Sequence, residues 1–225
     1  MGSTYVVTGA NRGIGLELAR QLMERGDAVI ATTRRLEQAA QLRSLGVRVE
    51  VLDVASAASV RAFAGELAGA PVDVLINNAG VAPETRGLAE LDCEGLLEAF
   101  SINSVGALRV TQALLPNLRA ARRRQVVNLS SQLASIGDNA SGGYYAYRAS
   151  KAALNMLTRT LALELAGKGF TCVAVNPGWV RTRMGGAGAP LPVEESVAAM
   201  LALLDRLTVR DSGGFFSWDG SRVPW

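Results

Sequence analysis

The chain has 225 residues, of which 49% are hydrophobic and 19% are charged, and its formal net charge is +3. This length suits one sizeable α/β domain, and the composition argues against a disordered chain. The positive excess is too small and scattered to indicate a nucleic-acid partner, because its one dense cluster, Arg122-Arg123-Arg124, fits a solvated loop.

Two absences narrow the class of protein further. The N-terminus lacks a secretory pattern, and no window reaches the roughly 18 uncharged apolar residues of a membrane span. We therefore expect a cytoplasmic protein with no membrane partner. Histidine is absent, which excludes a Ser-His-Asp triad and the usual zinc sites. We expect no metal, and any proton transfer must use Tyr, Lys, Asp or Glu.

Short apolar runs rich in β-branched residues alternate with longer segments of helical periodicity. The runs predict strands at Thr4–Thr8, Ala28–Thr33, Val47–Asp53, Val72–Asn77, Gln125–Ser130, Thr171–Asn176 and Gly214–Ser217. The segments between them predict helices at Ile14–Arg25, Leu36–Leu45, Ser56–Ala68, Glu94–Arg119, Tyr144–Gly167 and Val193–Leu207. Pro116 is expected to end or kink the fourth helix.

Strands such as VIATT and VLIN are apolar on both faces, as in a parallel sheet covered by helices on both sides. No linker, composition shift or internal repeat divides the chain. The sequence therefore predicts an α/β fold: a single doubly wound domain over residues 1-225, with a central parallel sheet of about seven strands flanked by helices. Ligands of such folds bind beyond the carboxyl ends of the strands.

A glycine-rich turn, TGANRGIG, follows the first predicted strand and opens a helix at Gly9, Gly13 and Gly15. Glycines here permit a tight turn and let backbone N–H groups approach a pyrophosphate at the positive helix N-terminus. The spacing differs from the general G-x-G-x-x-G fingerprint, and a plain glycine-rich turn is the alternative. The position between strand and helix favours a dinucleotide cradle.

The end of the second predicted strand indicates which dinucleotide. An NAD-binding protein usually places an acidic residue there to bond the ribose 2′-hydroxyl. Here Thr33 occupies that position and Arg34 follows it. A 2′-phosphate suits the guanidinium of Arg34, and Arg12 can meet it from the glycine turn. The alternative is that both arginines are ordinary exposed charges. We expect NADP(H) in preference to NAD(H).

Three motifs in order along the chain carry a family resemblance: TGANRGIG, NNAG at 77–80, and Tyr147-x-x-x-Lys151. With them, the whole chain resembles the short-chain dehydrogenase/reductase family, whose fold is a Rossmann domain. SGGYYAYRASKAALN, PGWVRT and the closing GGFFSWDGSRVPW are similar to the branch of C-factor-like and sniffer-type carbonyl reductases. A reductase from another branch, with a fixed metabolic substrate, stays open.

The resemblance implies roles at the matching positions. Asp53 would contact the adenine, Asn78 and Gly80 would shape a turn beside the cofactor, and Thr182 would bond the nicotinamide carboxamide. The implied cofactor-binding set is Gly9, Asn11, Arg12, Gly13, Ile14, Gly15, Thr33, Arg34, Asp53, Val54, Asn78, Ala79, Gly80, Tyr147, Lys151, Pro177, Gly178, Val180 and Thr182. An inserted SIGDNASGG before the tyrosine and a short GGAGAPLP later leave the substrate open.

Of three closely spaced tyrosines, only Tyr147 lies four residues before Lys151, so that both share one helix face. A free phenol has a pKa of about 10. A lysine charge about 4 Å away is worth about 4 kcal/mol at an effective dielectric near 20. We therefore expect Lys151 to bring the pKa of Tyr147 from about 10 toward about 7, before desolvation raises it again. An ordinary exposed helix pair is the alternative.

The resemblance implies a catalytic set of Asn103, Ser131, Tyr147 and Lys151. Ser131 and Tyr147 would bond a carbonyl oxygen, Tyr147 would supply the proton, and Asn103 would order a water that relays protons through Lys151. Ser130 stays open beside Ser131. The expected function is NADP(H)-dependent interconversion of a carbonyl (aldehyde, ketone or quinone) and an alcohol. The alternative is a dinucleotide-binding signalling protein of the C-factor type with little turnover, and family members commonly form homodimers or homotetramers.

Overall fold

Seven parallel strands form one sheet at the centre of the computed structural model, which describes residues 2–83 and 87–225. The strands are β1 (Thr4–Val7), β2 (Ala28–Thr33), β3 (Arg48–Val51), β4 (Val74–Asn77), β5 (Gln125–Leu129), β6 (Thr171–Asn176) and β7 (Phe215–Ser217). Their order is β3-β2-β1-β4-β5-β6-β7. The predicted doubly wound sheet is confirmed, and its strand order reverses between β1 and β4, where such folds bind ligands.

Helices connect the strands and cover both faces of the sheet. They are α1 (Gly13–Glu24), α2 (Ala40–Ser44), α3 (Ala57–Glu66), α4 (Cys93–Phe100), α5 (Ala107–Ala113), α6 (Leu115–Ala120), α7 (Tyr145–Glu164) and α8 (Val193–Arg206). Across residues 2–83 and 87–225, none of these helices has both the length and the apolar character needed to cross a membrane.

Two predicted helices differ from the structure. The segment Leu36–Leu45 is divided into a 3-10 turn at Leu36–Gln38 and the short helix α2. The expected long helix Glu94–Arg119 is interrupted by a π-helical turn at Ser101–Gly106 and again between α5 and α6. Pro116 lies in the first turn of α6, so its predicted effect on this helix is confirmed. Single π turns of this kind occur often at functional sites.

The core lies on both faces of the sheet, and β1 illustrates the division. Tyr5 and Val7 face a core shared with α1 and α8, whereas Val6 faces a second core shared with α3 and α5. Successive side chains on a strand point to opposite faces, so both faces must be apolar. This packing makes the carboxyl edge of the sheet a rigid base for the loops that follow each strand.

Buried polar side chains link the centre of the sheet to two helices. Asn77 and Asn128 are paired across β4 and β5, and the Asn77 amide donates to the Asn128 Oδ1 at 2.8 Å. Asn77 also donates to Thr111 on α5 at 3.1 Å, and Asn128 donates to Thr158 on α7 at 2.8 Å. Buried hydrogen bonds of this kind are directional, and they fix α5 and α7 relative to the strands that they cover.

Candidate active site

The glycine-rich turn after β1 packs directly on the turn after β4. At Gly9, where φ is +63°, a Cβ atom would lie 2.9 Å from the Ala79 Cα, and at Gly15 it would lie 2.5 Å from the Asn78 Nδ2. The Asn78 amide donates to the carbonyl oxygens of Thr8 at 2.8 Å and Gly9 at 3.0 Å. A side chain at either glycine would separate the two turns, so the cradle depends on glycine at both positions.

Two threonines that the sequence analysis did not select hold this cradle together. The Thr8 hydroxyl accepts hydrogen bonds from the backbone N–H groups of Asn78 and Ala79, both at 3.0 Å. The Thr32 hydroxyl accepts from the Gly9 N–H at 3.3 Å. The neighbouring Thr33 is buried, and its hydroxyl accepts from the Arg35 N–H at 3.4 Å. The alternation of side chains along β2 could have shown that Thr32, and not Thr33, faces the glycine turn.

Three arginines lie close to one another at the mouth of the cradle. Partial burial lowers the pKa of Arg12, and the charges of Arg183 and Arg34 lower it further. Arg183 follows Thr182, whose Cγ2 lies 3.5 Å from the Cβ position of Gly13. The positive charges of Arg12, Arg34 and Arg183 repel one another. An anion such as a phosphate would relieve this repulsion, so the group is suited to bind one. The sequence analysis selected Arg12 and Arg34 and missed Arg183.

Four positions of the implied cofactor-binding set lie in or beside the turns after β1 and β3, and Asp53 is the one expected to contact the adenine. Asn11 donates from its amide to the Gln38 Oε1 at 3.3 Å. Ile14 packs against the core shared with α1. The Asp53 carboxylate accepts from the Ala55 N–H at 3.0 Å, and Val54 is buried beside it. These residues belong to the carboxyl edge of the sheet, as expected.

The positions assigned to the nicotinamide side lie in the segment after β6. Ser196 on α8 donates to the Pro177 carbonyl at 2.6 Å, and Gly178 has a φ of +85°. Val180 forms a β-bridge with Leu191, which folds the short segment 185–192 back onto the residues that follow β6. The Thr182 hydroxyl accepts from the Gly185 N–H at 3.2 Å, so it shapes this turn beside the glycine cradle.

The two serines after β5 point in different directions. Ser130 is buried, and its hydroxyl donates to the Asn155 Oδ1 at 2.6 Å in the interior of the domain. Ser131 precedes the 3-10 turn Gln132–Ala134, accepts from the Leu133 N–H at 3.2 Å, and lies close enough to the Tyr147 phenol to lower its pKa. The structure thus brings Ser131, and not Ser130, together with Tyr147.

Tyr147 and Lys151 lie on one face of α7, beneath the turn after β5. The Lys151 Nζ is 5.9 Å from the centroid of the Tyr147 ring and donates to the Leu129 carbonyl at 2.6 Å. Only 5% of Lys151 is exposed, and this burial lowers the pKa of its ammonium group to about 8. Tyr145, two residues before Tyr147 on the same helix, is 42% exposed. Of the three tyrosines, Tyr147 is therefore the one that meets the lysine.

The expected lowering of the Tyr147 pKa by Lys151 is wrong for this structure. Burial raises the pKa of Tyr147, and the hydrogen bond with Ser131 opposes only part of that effect. Lys151 loses its proton near pH 8, below the pH at which the phenol would ionise. No ammonium charge then remains to stabilise the phenolate, so desolvation dominates. The sequence shows that the two groups are neighbours, but it does not show how dry their surroundings are.

Asn103 lies in the π-helical turn and is 1% exposed. Its amide donates to the Val81 carbonyl and to the Ser150 hydroxyl, both at 2.9 Å, and its Oδ1 accepts from the Val81 N–H at 2.8 Å. A Cβ atom at Gly80 would lie 3.1 Å from the Asn103 Oδ1 and 3.6 Å from the Lys151 Nζ. Asn103 therefore joins the turn after β4 to α7, close to the lysine.

The residues of this edge fit a nicotinamide dinucleotide. The cradle exposes backbone groups at the positive N-terminus of α1, and glycines at 9 and 15 let it close without side chains. Cationic side chains lie at one end, and the half-buried Tyr147 and the buried Lys151 lie at the other. The donor set therefore suits a long anionic ligand with a reactive ring held beside a phenol.

The comparisons with known proteins agree with this geometry. Residues 3–189 match the family model described as short chain dehydrogenase. The chain is 47% identical over 166 residues to the C-signal protein of Myxococcus xanthus, covering 74% of this chain and 100% of that protein.

Two solved structures extend the similarity over the full chain. The sniffer carbonyl reductase of D. melanogaster has a TM-score of 0.94 and 33% identity, covering 100% of both chains. The NADPH-bound carbonyl reductase from chicken fatty liver has a TM-score of 0.93 and 35% identity, covering 100% of this chain and 99% of that one. The chain therefore belongs to the short-chain dehydrogenase/reductase family of oxidoreductases and is of the C-factor and sniffer type.

Proposed function

We propose that this protein is an NADP(H)-dependent reductase that converts an aldehyde, ketone or quinone to the corresponding alcohol. One arrangement carries the proposal: the half-buried phenol of Tyr147 lies beside Ser131, and its ring centroid is 5.9 Å from the buried Lys151 ammonium. A bound nicotinamide supplies the hydride, and the protein supplies orientation, charge stabilisation and the proton. The sniffer-type similarity of the chain supports the same reaction class.

Tyr147 acts as the proton donor in this proposal. A donor must hold its proton until the carbonyl oxygen takes it, and burial raises the pKa of Tyr147. The phenol is therefore protonated at neutral pH, as a proton donor to the carbonyl oxygen must be. Ser131 donates a second hydrogen bond to the same oxygen and keeps the carbonyl beside the phenol.

Lys151 and Asn103 support the proton transfer. With a pKa of about 8, most Lys151 side chains carry their proton at pH 7. Lys151 can thus bind the ribose hydroxyls of the cofactor and return a proton to Tyr147 after each turnover. Both amide protons of Asn103 are already donated. A relay water beside Asn103 would therefore donate to one of its oxygen atoms.

The preference for NADP(H) over NAD(H) rests on charge. Arg34 and Arg12 lie where a 2′-phosphate would sit, and Thr33 stands where NAD-binding proteins usually carry an acid. Arg183 adds a third positive charge to the same group. The chicken reductase is described with NADPH bound, which is in line with this preference.

A second candidate follows from the 47% identity with the C-signal protein of Myxococcus xanthus. In that case, the chain would bind a dinucleotide as a signalling protein with little turnover. The position of Tyr147 counts against it, because binding a dinucleotide alone does not require a phenol held beside both Ser131 and Lys151. The two candidates differ in whether carbonyl-dependent NADPH oxidation occurs.

The remaining predictions concern the oligomeric state, the size of the substrate and the cellular location of the protein. We propose a homodimer or homotetramer, since α4, α5 and α7 expose large apolar side chains at Leu97, Leu108, Met156 and Leu163. Paired helices would remove these side chains from water. The substrate is a small molecule, and a cytoplasmic location stays a prediction.

A screen of NADPH oxidation against aldehydes, ketones and quinones tests the proposed function, with Tyr147→Phe as the decisive variant. We expect the variant to lower kcat by about 10³-fold, because it removes the donated proton. NADPH affinity, measured by fluorescence titration, should stay unchanged. Tyr145→Phe is the matched control, since its phenol is exposed on the same helix. Normal turnover in Tyr147→Phe would refute the proton-donor role, and NADPH binding without oxidation by any carbonyl would favour the signalling candidate.

A further inference from the structure

We infer that Arg148 is a positioning residue that keeps Ser131 and Tyr147 together by clamping the segment 131–144 between β5 and α7. The inference rests on the proposed function, because it assigns Arg148 to the same carbonyl site. Sequence analysis gave this arginine no role, although it directly follows Tyr147. Its guanidinium does not turn away into solvent, but reaches back over the segment that leads into α7.

Arg148 holds the segment 131–144 at both of its ends. Its Nη1 donates to the Leu133 carbonyl at 3.3 Å, close to the end of β5. Its Nε donates to the Gly142 carbonyl at 3.2 Å, and its Nη2 donates to the Ser141 hydroxyl at 2.9 Å, both just before α7. One planar guanidinium thus links two points that are eight residues apart or more, as its fixed fork of donors allows.

These contacts complete a closed ring around the reactive hydroxyl groups. The Ser131 hydroxyl accepts from the Leu133 N–H at 3.2 Å, and the Ser131 side chain lies beside the Tyr147 phenol, close enough to lower its pKa. Arg148 is covalently joined to Tyr147 and donates to the Leu133 carbonyl. Each of the four residues is therefore held by the next. Releasing Arg148 would free the Leu133 carbonyl from the start of α7, while Lys151 and Asn155 would still hold the end of β5.

Local preferences do not favour this arrangement, so tertiary contacts must maintain it. Gly142, Gly143 and Tyr144 all have left-handed backbones, with φ values of 64°, 67° and 50°. Tyr144, the non-glycine residue among them, is strained in this conformation, because its Cβ crowds the backbone. A positive charge near the N-terminus of a helix is also at the unfavourable end of its dipole. Three hydrogen bonds from Arg148 offset both costs.

The middle of the segment 131–144 is held by a contact with the C-terminal residue Trp225. Loss of Arg148 can therefore displace Ser131 without unfolding the segment. The Gly137 N–H donates to the Trp225 carbonyl at 3.1 Å, and the Trp225 ring stacks on Phe215 of β7 at a centroid distance of 5.4 Å. This contact is independent of Arg148. Without the guanidinium, the segment should stay folded at its centre and become loose at the end that carries Ser131. Small displacements of positioning groups can lower a rate by about 100-fold.

A double-mutant cycle between Arg148→Ala and Ser131→Ala tests the inference. We expect Arg148→Ala to lower kcat by about 10- to 100-fold in the otherwise unchanged protein. In the Ser131→Ala background the same change should cost less than about 2-fold, because residues that act through one contact are not additive. NADPH affinity should not change. Equal losses in both backgrounds, or a kcat within about 2-fold of the wild type, would overturn the inference.

A matched control comes from Arg159 on the same helix, which also donates to a loop carbonyl, that of Gly213, at 3.3 Å. Arg159→Ala should lower the unfolding temperature much as Arg148→Ala does, but leave kcat unchanged. Amide hydrogen exchange should rise in residues 131–144 for Arg148→Ala alone. This measurement needs no turnover, so it tests the clamp even if the wild type reduces no carbonyl. Unchanged exchange there would refute the clamp.

Arg148→Lys keeps the conclusion testable if the alanine variant fails to fold. A lysine is a point donor without the planar fork, so it can reach only part of the three acceptors. We expect an intermediate loss of kcat that again disappears in the Ser131→Ala background. Full activity with unchanged exchange in Arg148→Lys and Arg148→Ala alike would exclude a positioning role.

Discussion

The glycine-rich turn after β1 and the segment 131–144 after β5 lie at the same edge of the sheet, but different contacts hold them there. In the glycine-rich turn, backbone atoms pack against the turn after β4, and Gly15 would clash with Asn78 if it carried a side chain. In the segment 131–144, side chains such as Arg148 bridge distant points, and Tyr144 adopts a left-handed backbone.

This difference shows that one half of the site is rigid through close packing, whereas the other half lowers the stability of the fold by burying a charge. The half around the glycine-rich turn, which we propose binds the nucleotide, is rigid because its backbone packs closely against the turn after β4. Its glycines and threonines carry no buried charge. The half around Tyr147, for which we propose the catalytic role, buries the Lys151 ammonium, and this burial lowers its pKa to about 8. Such groups lower stability in the interest of function. Substitutions in the glycine-rich turn should therefore lower the free energy of unfolding, and substitutions around Tyr147 should mainly lower kcat.

The largest expected effect is that of Lys151→Met, which should lower kcat by about 10³-fold and yet stabilise the fold. The pKa of Lys151 falls from 10.5 to about 8 on folding. At 1.36 kcal/mol per pH unit, burying the charge costs about 3 kcal/mol at pH 7. Losing the hydrogen bond to Leu129 removes about 1 kcal/mol, so we expect a net gain of about 2 kcal/mol in urea unfolding.

The pH dependence of unfolding sharpens this prediction. The folded pKa of Lys151 lies below the unfolded one, so the unfolded chain binds more protons between about pH 8 and 10.5. Stability from this group therefore rises with pH across that window, and its cost is fully present below pH 8. Lys151→Met should remove this rise. A variant that is less stable than the wild type at pH 7 would contradict the buried-charge interpretation.

Gly15→Ala should have the next largest effect, about 2 to 3 kcal/mol of lost unfolding free energy, because overpacking displaces backbone. The new methyl group would lie 2.5 Å from the Asn78 Nδ2 and 2.7 Å from the Gly9 carbonyl oxygen. NADPH affinity should fall with it. Gly65→Ala on α3 is the control, since no atom lies within 4 Å of its Cβ position. That change should stabilise by about 0.5 to 1 kcal/mol, and equal effects at both sites would contradict the packing argument.

Arg34→Asp should have the smallest effect, confined to the choice of cofactor. We expect the ratio of kcat/KM for NADPH over NADH to fall by about 10- to 100-fold, because an acid repels the 2′-phosphate and accepts from a 2′-hydroxyl. Arg43→Asp makes the same charge change on exposed α2 and serves as the control. An unchanged ratio in Arg34→Asp would count against the assignment of NADP(H).

Sequence patterns predicted those parts of the site that are formed by residues close together along the chain. The glycine turn, the seven strands and the spacing of Tyr147 and Lys151 are all short-range features, and the first two are confirmed in the structure. Sequence reasoning missed Thr32, Arg183 and Arg148, whose roles depend on contacts between distant segments. It also missed the π-helical turn around Asn103, which local helical periodicity hides.

By itself, the sequence determined the parallel sheet, the dinucleotide cradle and the identity of the phenol–lysine pair, because apolar periodicity and short spacings act within one strand, turn or helix. The tertiary structure alone decided that Ser131 and not Ser130 meets Tyr147, and that burial raises the phenol pKa. Desolvation depends on every segment packed around a group, and no local stretch of sequence contains that information. Short sequence spacings therefore identify the side chains of this site, and the packing of distant segments sets the pKa of Tyr147.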